Sequence, residues 1–231
     1  MKTSDSGHKV KFQAKPHSKD KTILFDLDGT VIDSTEAILE SFHNSFDIYK
    51  LPHPTDEEIK ALIGHPLDSM YADLKVEEAL VWDMVKTYKE HYSKIYKEKT
   101  VLLEHAVESI RLAEEVARLG VVTTKTGTYS RDLLENFGLM DAFEVLIGRE
   151  NVEQPKPHAE PILKAMETMQ ANPSTTWMIG DTSLDIRSAQ NAGIHSVAVT
   201  SGYESREQLL TLTDIIENNV LEAVKYISRL K

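Results

Sequence analysis

The stretch ILFDLDGTVIDS, Ile23 to Ser34, decides the fold. Three apolar residues, Ile23-Leu24-Phe25, run straight into Asp26 and Asp28, and Gly29-Thr30 then turns the chain. Residues i and i+2 of an extended strand point the same way, so both carboxylates face one crevice beyond the strand's carboxyl end. Open α/β sheets bind ligands there. Two anions in one pocket push one pKa upward unless a cation intervenes, and a hard divalent ion beside one with a proton on the other settles the conflict. On that reading Asp26 is an ionised nucleophile and Asp28 an acid–base group. The same residues also read as an Asp-Gly turn with Thr30 as a cap.

Outward from this stretch the chain alternates short apolar runs with helix-like segments, a β-α-β-α rhythm that predicts a parallel sheet covered on both faces. The strands are expected at Thr22–Asp26, Gly120–Thr124, Glu144–Gly148, Thr176–Asp181 and Ser196–Thr200, with a sixth at an edge over Thr213–Ile216. More than ninety residues separate the first two, far beyond one crossover helix. An inserted helical unit over residues 36–100 is the economical explanation. Ile38, Phe42, Phe46 and Tyr49 share one helical face, and Val76, Leu80, Met84, Tyr88, Tyr92 and Tyr96 recur every four residues as packing surface. Residues 21–35 and 101–231 form the expected core. A helix near Glu104–Leu119 closes at Gly120, and later helices follow Ser130 (stopping at Gly138), Pro161 and Ser183, with the last over Asn219–Leu230. Residues 1–20 are polar and aperiodic and read as a tail.

The 231 residues carry a formal charge of -11, which argues against nucleic acid or an anionic membrane as the main partner. Cysteine is absent, which excludes a disulfide frame, thiol catalysis and zinc–thiolate ligation. No apolar run is long enough to span a bilayer, and the first twenty residues lack the apolar core of a signal peptide. A cytoplasmic protein, monomeric or weakly dimeric, is the expectation.

Three further segments can meet the two aspartates. VVTTKTG ends the second strand with Thr123, Thr124 and Lys125, a hydroxyl and amides suited to phosphoryl oxygens. EQPKPHAEP holds Lys156 between two prolines that stiffen its loop. WMIGDTSLDI repeats the opening pattern, with Asp181 at a strand end and Asp185 one helical turn on, able to supply a metal oxygen and to orient Lys156. Each segment alone reads equally as strand, solvated loop or helix cap.

Together, DLDGT, Thr123, Lys156 and GDTSLD in this order resemble the four motifs of the haloacid dehalogenase-like hydrolases, over nearly all of Thr22 to Leu230. The insert is similar to the α-helical cap of the phosphoglycolate phosphatase-like and β-phosphoglucomutase-like branch. The resemblance implies a Rossmann-like core of strand order 3-2-1-4-5. It further implies Asp26 as nucleophile, Asp28 as acid–base group whose backbone carbonyl helps bind Mg²⁺, Thr123 and Lys156 as phosphoryl holders, and Asp181 and Asp185 completing the metal site. IGHPL resembles the branch's substrate-recognition loop, with Gly64 and His65 beside Thr124 and Lys125 as substrate contacts. Thr124 stands where asparagine is usual, and LLEHAVE replaces the usual Pro-Gly before the core helix. The function implied is a Mg²⁺-dependent phosphatase for a small phosphorylated metabolite, such as phosphoglycolate, pyrophosphate or a sugar phosphate. A phosphomutase uses the same two aspartates, although IGHPL lacks an arginine, and a non-catalytic phosphate-binding module is a further alternative.

Overall fold

The computed structural model describes residues 19–230; the expected tail lies outside them except for Lys19 and Asp20. A six-stranded parallel sheet forms the centre, built from β1 (Lys21–Phe25), β4 (Ala117–Val122), β5 (Val145–Ile147), β6 (Thr176–Gly180), β7 (His195–Val199) and β8 (Ile216–Glu217). Its spatial order β5-β4-β1-β6-β7-β8 is the expected 3-2-1-4-5 with the sixth strand added at the edge. Ile23, Leu24 and Phe25 are all fully buried, because a central parallel strand has helices on both faces and needs apolar side chains on both. The register pairs Phe25 with Val121 and with Ile179, so β1, β4 and β6 end at one level and their following residues emerge together. Helices α5 (Ala106–Val116), α6 (Gly127–Asn136), α7 (Glu160–Met169), α8 (Ser183–Ala192) and α10 (Val220–Arg229) complete the crossovers, with a short α9 (Arg206–Leu209).

A two-residue antiparallel ribbon, β2 (Ile32–Asp33) with β3 (Val101–Leu102), leads into and out of the cap, so the insert leaves the core and returns at one place. The cap comprises α1 (Thr35–Tyr49), α2 (Asp56–Lys60), α3 (Leu67–Asp73) and α4 (Glu78–Ile95). Its core is aromatic: Phe42 lies 4.8 Å from Tyr71 and 5.0 Å from Tyr88 between ring centroids, and Met84, Tyr88 and Tyr92 are buried along α4. The stripe with four-residue spacing is thus packing surface, each ring pair contributing about 0.5–1.5 kcal/mol beyond area burial. No described helix is long and apolar enough to cross a membrane.

Several element limits differ from expectation. The helix expected to close at Gly120 ends at Val116, and the chain passes directly into β4, with Gly120 inside the strand. The glycine is there for space: a Cβ would come within 2.8 Å of both Leu24 and Val145 side chains and 3.1 Å of the Met169 sulfur. Gly120→Ala should therefore destabilise by about 1–3 kcal/mol through overpacking, read as a lower urea midpoint at unchanged m-value. An unchanged midpoint would contradict that account. Helix α6 begins at Gly127, and Ser130 sits inside it with its hydroxyl donating to the Thr126 carbonyl. The edge strand begins three residues later than expected, at Ile216. His105, just before α5, takes a left-handed conformation with φ 65°.

Candidate active site

Asp26 follows β1, Thr123 follows β4 and Asp181 follows β6, while Asp185 reaches back from the first turn of α8. The parallel register delivers all four to one sheet edge. Carboxylate oxygens of Asp26, Asp181 and Asp185 lie within 4.8 Å of one another, all buried. Lys156, also buried, places its ammonium 2.5 Å from Asp185 Oδ1 and 3.0 Å from Asp26 Oδ1, and donates to the Val122 carbonyl at 3.1 Å. The Asp26 contact is at ion-pair distance without hydrogen-bond geometry, so Asp26 Oδ1 is buried and receives no hydrogen bond.

The oxygens of Asp181 and Asp185 are held. Thr30 Oγ1 donates to Asp181 Oδ1 at 2.9 Å and the Tyr203 amide to Asp181 Oδ2 at 3.0 Å. Asp185 Oδ2 accepts from the Thr182 amide and hydroxyl, capping α8 while its other oxygen holds Lys156. Gly29, at φ 81°, lets the backbone approach Asp181, where a Cβ would stand 2.2 Å from its carboxylate.

Asp28 faces a neighbouring space. Lys125 Nζ donates to both its oxygens at 2.9 and 3.1 Å and to Ser34 Oγ at 3.1 Å, and lies 5.0 Å over the Tyr92 ring; Ser34 Oγ also bonds Asp28. The Asp28 carboxylate is therefore outside the three-carboxylate cluster, so among the described residues Asp28 has only its backbone carbonyl to offer an ion there. Thr123 Oγ1 accepts from the Lys125 amide at 3.2 Å, which shapes the loop after β4. Thr124 Oγ1 donates to the Gly64 carbonyl at 2.7 Å, tying core to cap, and Gly64 and His65 line the cavity that Asp28 and Lys125 also line.

Burial, the largest influence, pushes Asp26 up to about 6; Lys156 opposes it and Asp185 adds to it. Burial raises Asp181 well above the carboxylate range, reinforced by Asp185 and Asp26. Burial works against the charge of Lys156, yet Asp185 and Asp26 outweigh it and its pKa ends above the ordinary lysine value. The same balance, with Asp28 as the partner, raises Lys125. Three buried carboxylates share the single ammonium of Lys156, so they cannot all ionise without unpaired negative charge, which is the conflict that raises Asp26 and Asp181. With an unbonded Asp26 oxygen among hard oxygen donors, this set fits a divalent cation such as Mg²⁺.

The native state holds the Asp26 proton more tightly than the unfolded chain (about 6 against 3.8), so without metal the penalty is absent below about pH 4 and complete above about pH 6. Metal-free stability falls as pH rises through that window. A divalent cation bound at these carboxylates would relieve the penalty, so the gain in Tm on adding Mg²⁺ should be larger at about pH 8 than at about pH 5. An equal gain at both, by differential scanning fluorimetry, would count against the assigned cluster.

Sequence reasoning missed the loop after β7. Ser201 Oγ donates to the Gly29 carbonyl, a Cβ on Gly202 would stand 1.9 Å from the Asp181 carboxylate, and the Tyr203 amide holds that carboxylate. The signal was present, since SGY follows a buried strand as Asp26 and Asp181 do.

Similarity to known proteins agrees with this geometry. The sequence profile described as haloacid dehalogenase-like hydrolase matches residues 23–199. Pyrophosphatase PpaX of Halalkalibacterium halodurans is 36% identical over 80% of this chain and 85% of that protein. PpaX of Anoxybacillus flavithermus is 35% identical over 82% and 88%. Among solved structures, a haloacid dehalogenase-like family hydrolase of Streptococcus pneumoniae superposes with a TM-score of 0.81 at 28% identity, over 91% of this chain and 99% of that one. With the motif order, the strand order and the buried aspartate cluster in agreement, the chain belongs to the haloacid dehalogenase-like hydrolases, and its site supports phosphatase activity.

Proposed function

We propose that this chain is a Mg²⁺-dependent phosphatase that hydrolyses a small phosphorylated metabolite through a phosphoaspartate on Asp26. The observation that carries it is Asp26 Oδ1, buried, free of hydrogen bonds and beside the Lys156 ammonium, at the rim where Asp28 borders the cavity. Asp26 attacks phosphorus, an oxygen–phosphorus bond forms, and the bond to the leaving oxygen breaks as Asp28 protonates it. Asp28, now a carboxylate, takes a proton from the water that cleaves the acyl-phosphate, which restores both aspartates and releases inorganic phosphate. Thr123 and Lys156 hold the transferred group, and Thr124, Lys125, Gly64 and His65 border the leaving group. Asp26, Asp181, Asp185 and the Asp28 carbonyl would hold Mg²⁺, which when bound offsets the charge of the phosphoryl oxygens. The name of the relatives, pyrophosphatase, supports counting pyrophosphate as a candidate substrate beside phosphoglycolate-like and sugar phosphates.

The test uses Asp28→Asn with p-nitrophenyl phosphate. Nitrophenolate departs without a proton, so the first half-reaction survives, while the second lacks its base and stalls. One equivalent of nitrophenolate should appear in a burst, with phosphate on the peptide carrying Asp26 by mass spectrometry. Sustained turnover at the rate of the unaltered enzyme would remove Asp28 from this role.

A further inference from the structure

Between cap and core lies a cavity of about 290 Å³. Asp28 is on its wall, and the group that protonates the leaving oxygen must face the leaving group, so this cavity receives the part of the substrate beyond the phosphoryl. Its character is unusual for a site meant to hold a second anion. Ile63, Leu67, Met70, Val85 and Tyr88 form much of the wall, and Trp82 stands at the mouth, 66% exposed on the cap helix α4.

The wall carries no surplus of positive charge. Lys125, the cation nearest Asp28, gives its protons to Asp28 and Ser34 and presents its remaining face to the Tyr92 ring. Arg149 donates to the Val152 carbonyl, and Glu150 accepts from the Gly127 and Thr128 amides at the start of α6. Lys89 and Arg149 are matched in number by Asp68 and Glu150 on the same wall. A pyrophosphate substrate would set its departing phosphate, an anion, in a space whose cations are matched in number by carboxylates, and burying a further charge without a surplus cation is strongly unfavourable. An apolar ring there would instead exchange water for Val85, Tyr88 and the exposed Trp82 face, a favourable transfer.

Resting on the phosphatase reading above, we infer that the preferred substrates are phosphate monoesters whose leaving group is an uncharged, apolar, ring-bearing alcohol, with Trp82 as a specificity-determining contact, and that pyrophosphate is a poor substrate for this chain. The inference departs from what the relatives' names suggest.

The experiment compares benzyl phosphate, ethyl phosphate and pyrophosphate with Mg²⁺. Benzyl and ethyl alcohols are of comparable acidity as leaving groups, so their ratio of kcat/KM reads the pocket and not the chemistry. Benzyl phosphate should exceed ethyl phosphate by about tenfold or more, as filling an apolar pocket does, and should exceed pyrophosphate as well. Trp82→Ala, a change at an exposed position that spares the fold, should bring the benzyl-to-ethyl ratio down severalfold. Benzylphosphonate, which is not hydrolysed, should change the tryptophan emission of the unaltered protein saturably, and Trp82→Phe should lose that change. Pyrophosphate turned over faster than benzyl phosphate, or a benzyl-to-ethyl ratio near one, would overturn the inference and leave the phosphatase reading standing. No turnover of any of the three would overturn the phosphatase reading, and the presence or absence of saturable benzylphosphonate binding would then decide the pocket's assignment.

Discussion

Asp26→Asn should lower kcat by roughly 10⁴-fold or more while leaving the protein folded, because in the proposed mechanism it removes the nucleophile and almost nothing else. Aspartate and asparagine have nearly the same shape, so the packing among Ile23, Leu24 and Phe25 upstream is not disturbed. The electrostatic change favours the fold: one of three clustered buried carboxylates, held unfavourably up to about 6 by its own desolvation, becomes neutral. The melting temperature in EDTA should therefore be no lower than that of the unaltered protein, and the pH dependence of metal-free stability should weaken. Mg²⁺ affinity should fall, since one donor has lost its charge. A variant that unfolds would assign Asp26 a structural role, and one that turns over within tenfold of the original rate would exclude it as the nucleophile. The pairing of lost rate with preserved or improved stability is what separates a reactive group from a packing one.

How much of this was legible in the sequence depends on which physical signal each residue carries. Asp26, Asp181 and Lys156 each break a local rule: charges placed at the ends of buried apolar strands or in a loop stiffened by two prolines. Such conflicts are visible without coordinates. The parallel sheet was readable because continuous apolar runs between helices have few other solutions. The end of α5 was not, since Gly120 can serve a helix end or a crowded strand, and only the neighbours Leu24, Val145 and Met169 decide between them. Lys125 was placed near substrate by its position after β4, but its bonds to Asp28 and Ser34 and its seat over Tyr92 join three distant segments, and no local pattern encodes such a meeting. The same holds for Thr124, whose hydroxyl bonds the cap at Gly64. The loop after β7 was marked only by its place beyond a buried strand, because its residues nearest the cluster, Ser201, Gly202 and Tyr203, carry no charge and break no local rule.

Lys156→Met should cost about 3–5 kcal/mol of stability in EDTA near neutral pH, the largest stability effect expected of any substitution at this site. The methionine fills much of the same volume, so the loss is electrostatic. Lys156 is 3% exposed, its ammonium sits between Asp26 and Asp185, and its removal leaves three buried carboxylates with no cation among them. Sign and window follow from the linkage. The native lysine pKa is raised, so the pair's stabilisation is complete below the unfolded value of about 10.4 and is present throughout the neutral range. Asp26 titrates near 6, so acidification neutralises it in the variant and the deficit should shrink at about pH 5. Mg²⁺ should restore part of the stability by supplying positive charge at the same carboxylates, but not the activity, because the cation beside the nucleophile's unbonded oxygen is gone. Lys156→Arg keeps the charge but not the compact ammonium, and its planar fork has no room between Asp185 Oδ1 and the Val122 carbonyl, so it should recover little. Urea titrations at two pH values, with and without Mg²⁺, give the four numbers needed. A deficit that ignores both pH and metal would mean that Lys156 contributes by packing alone, and the charge balance assigned to the cluster would be wrong.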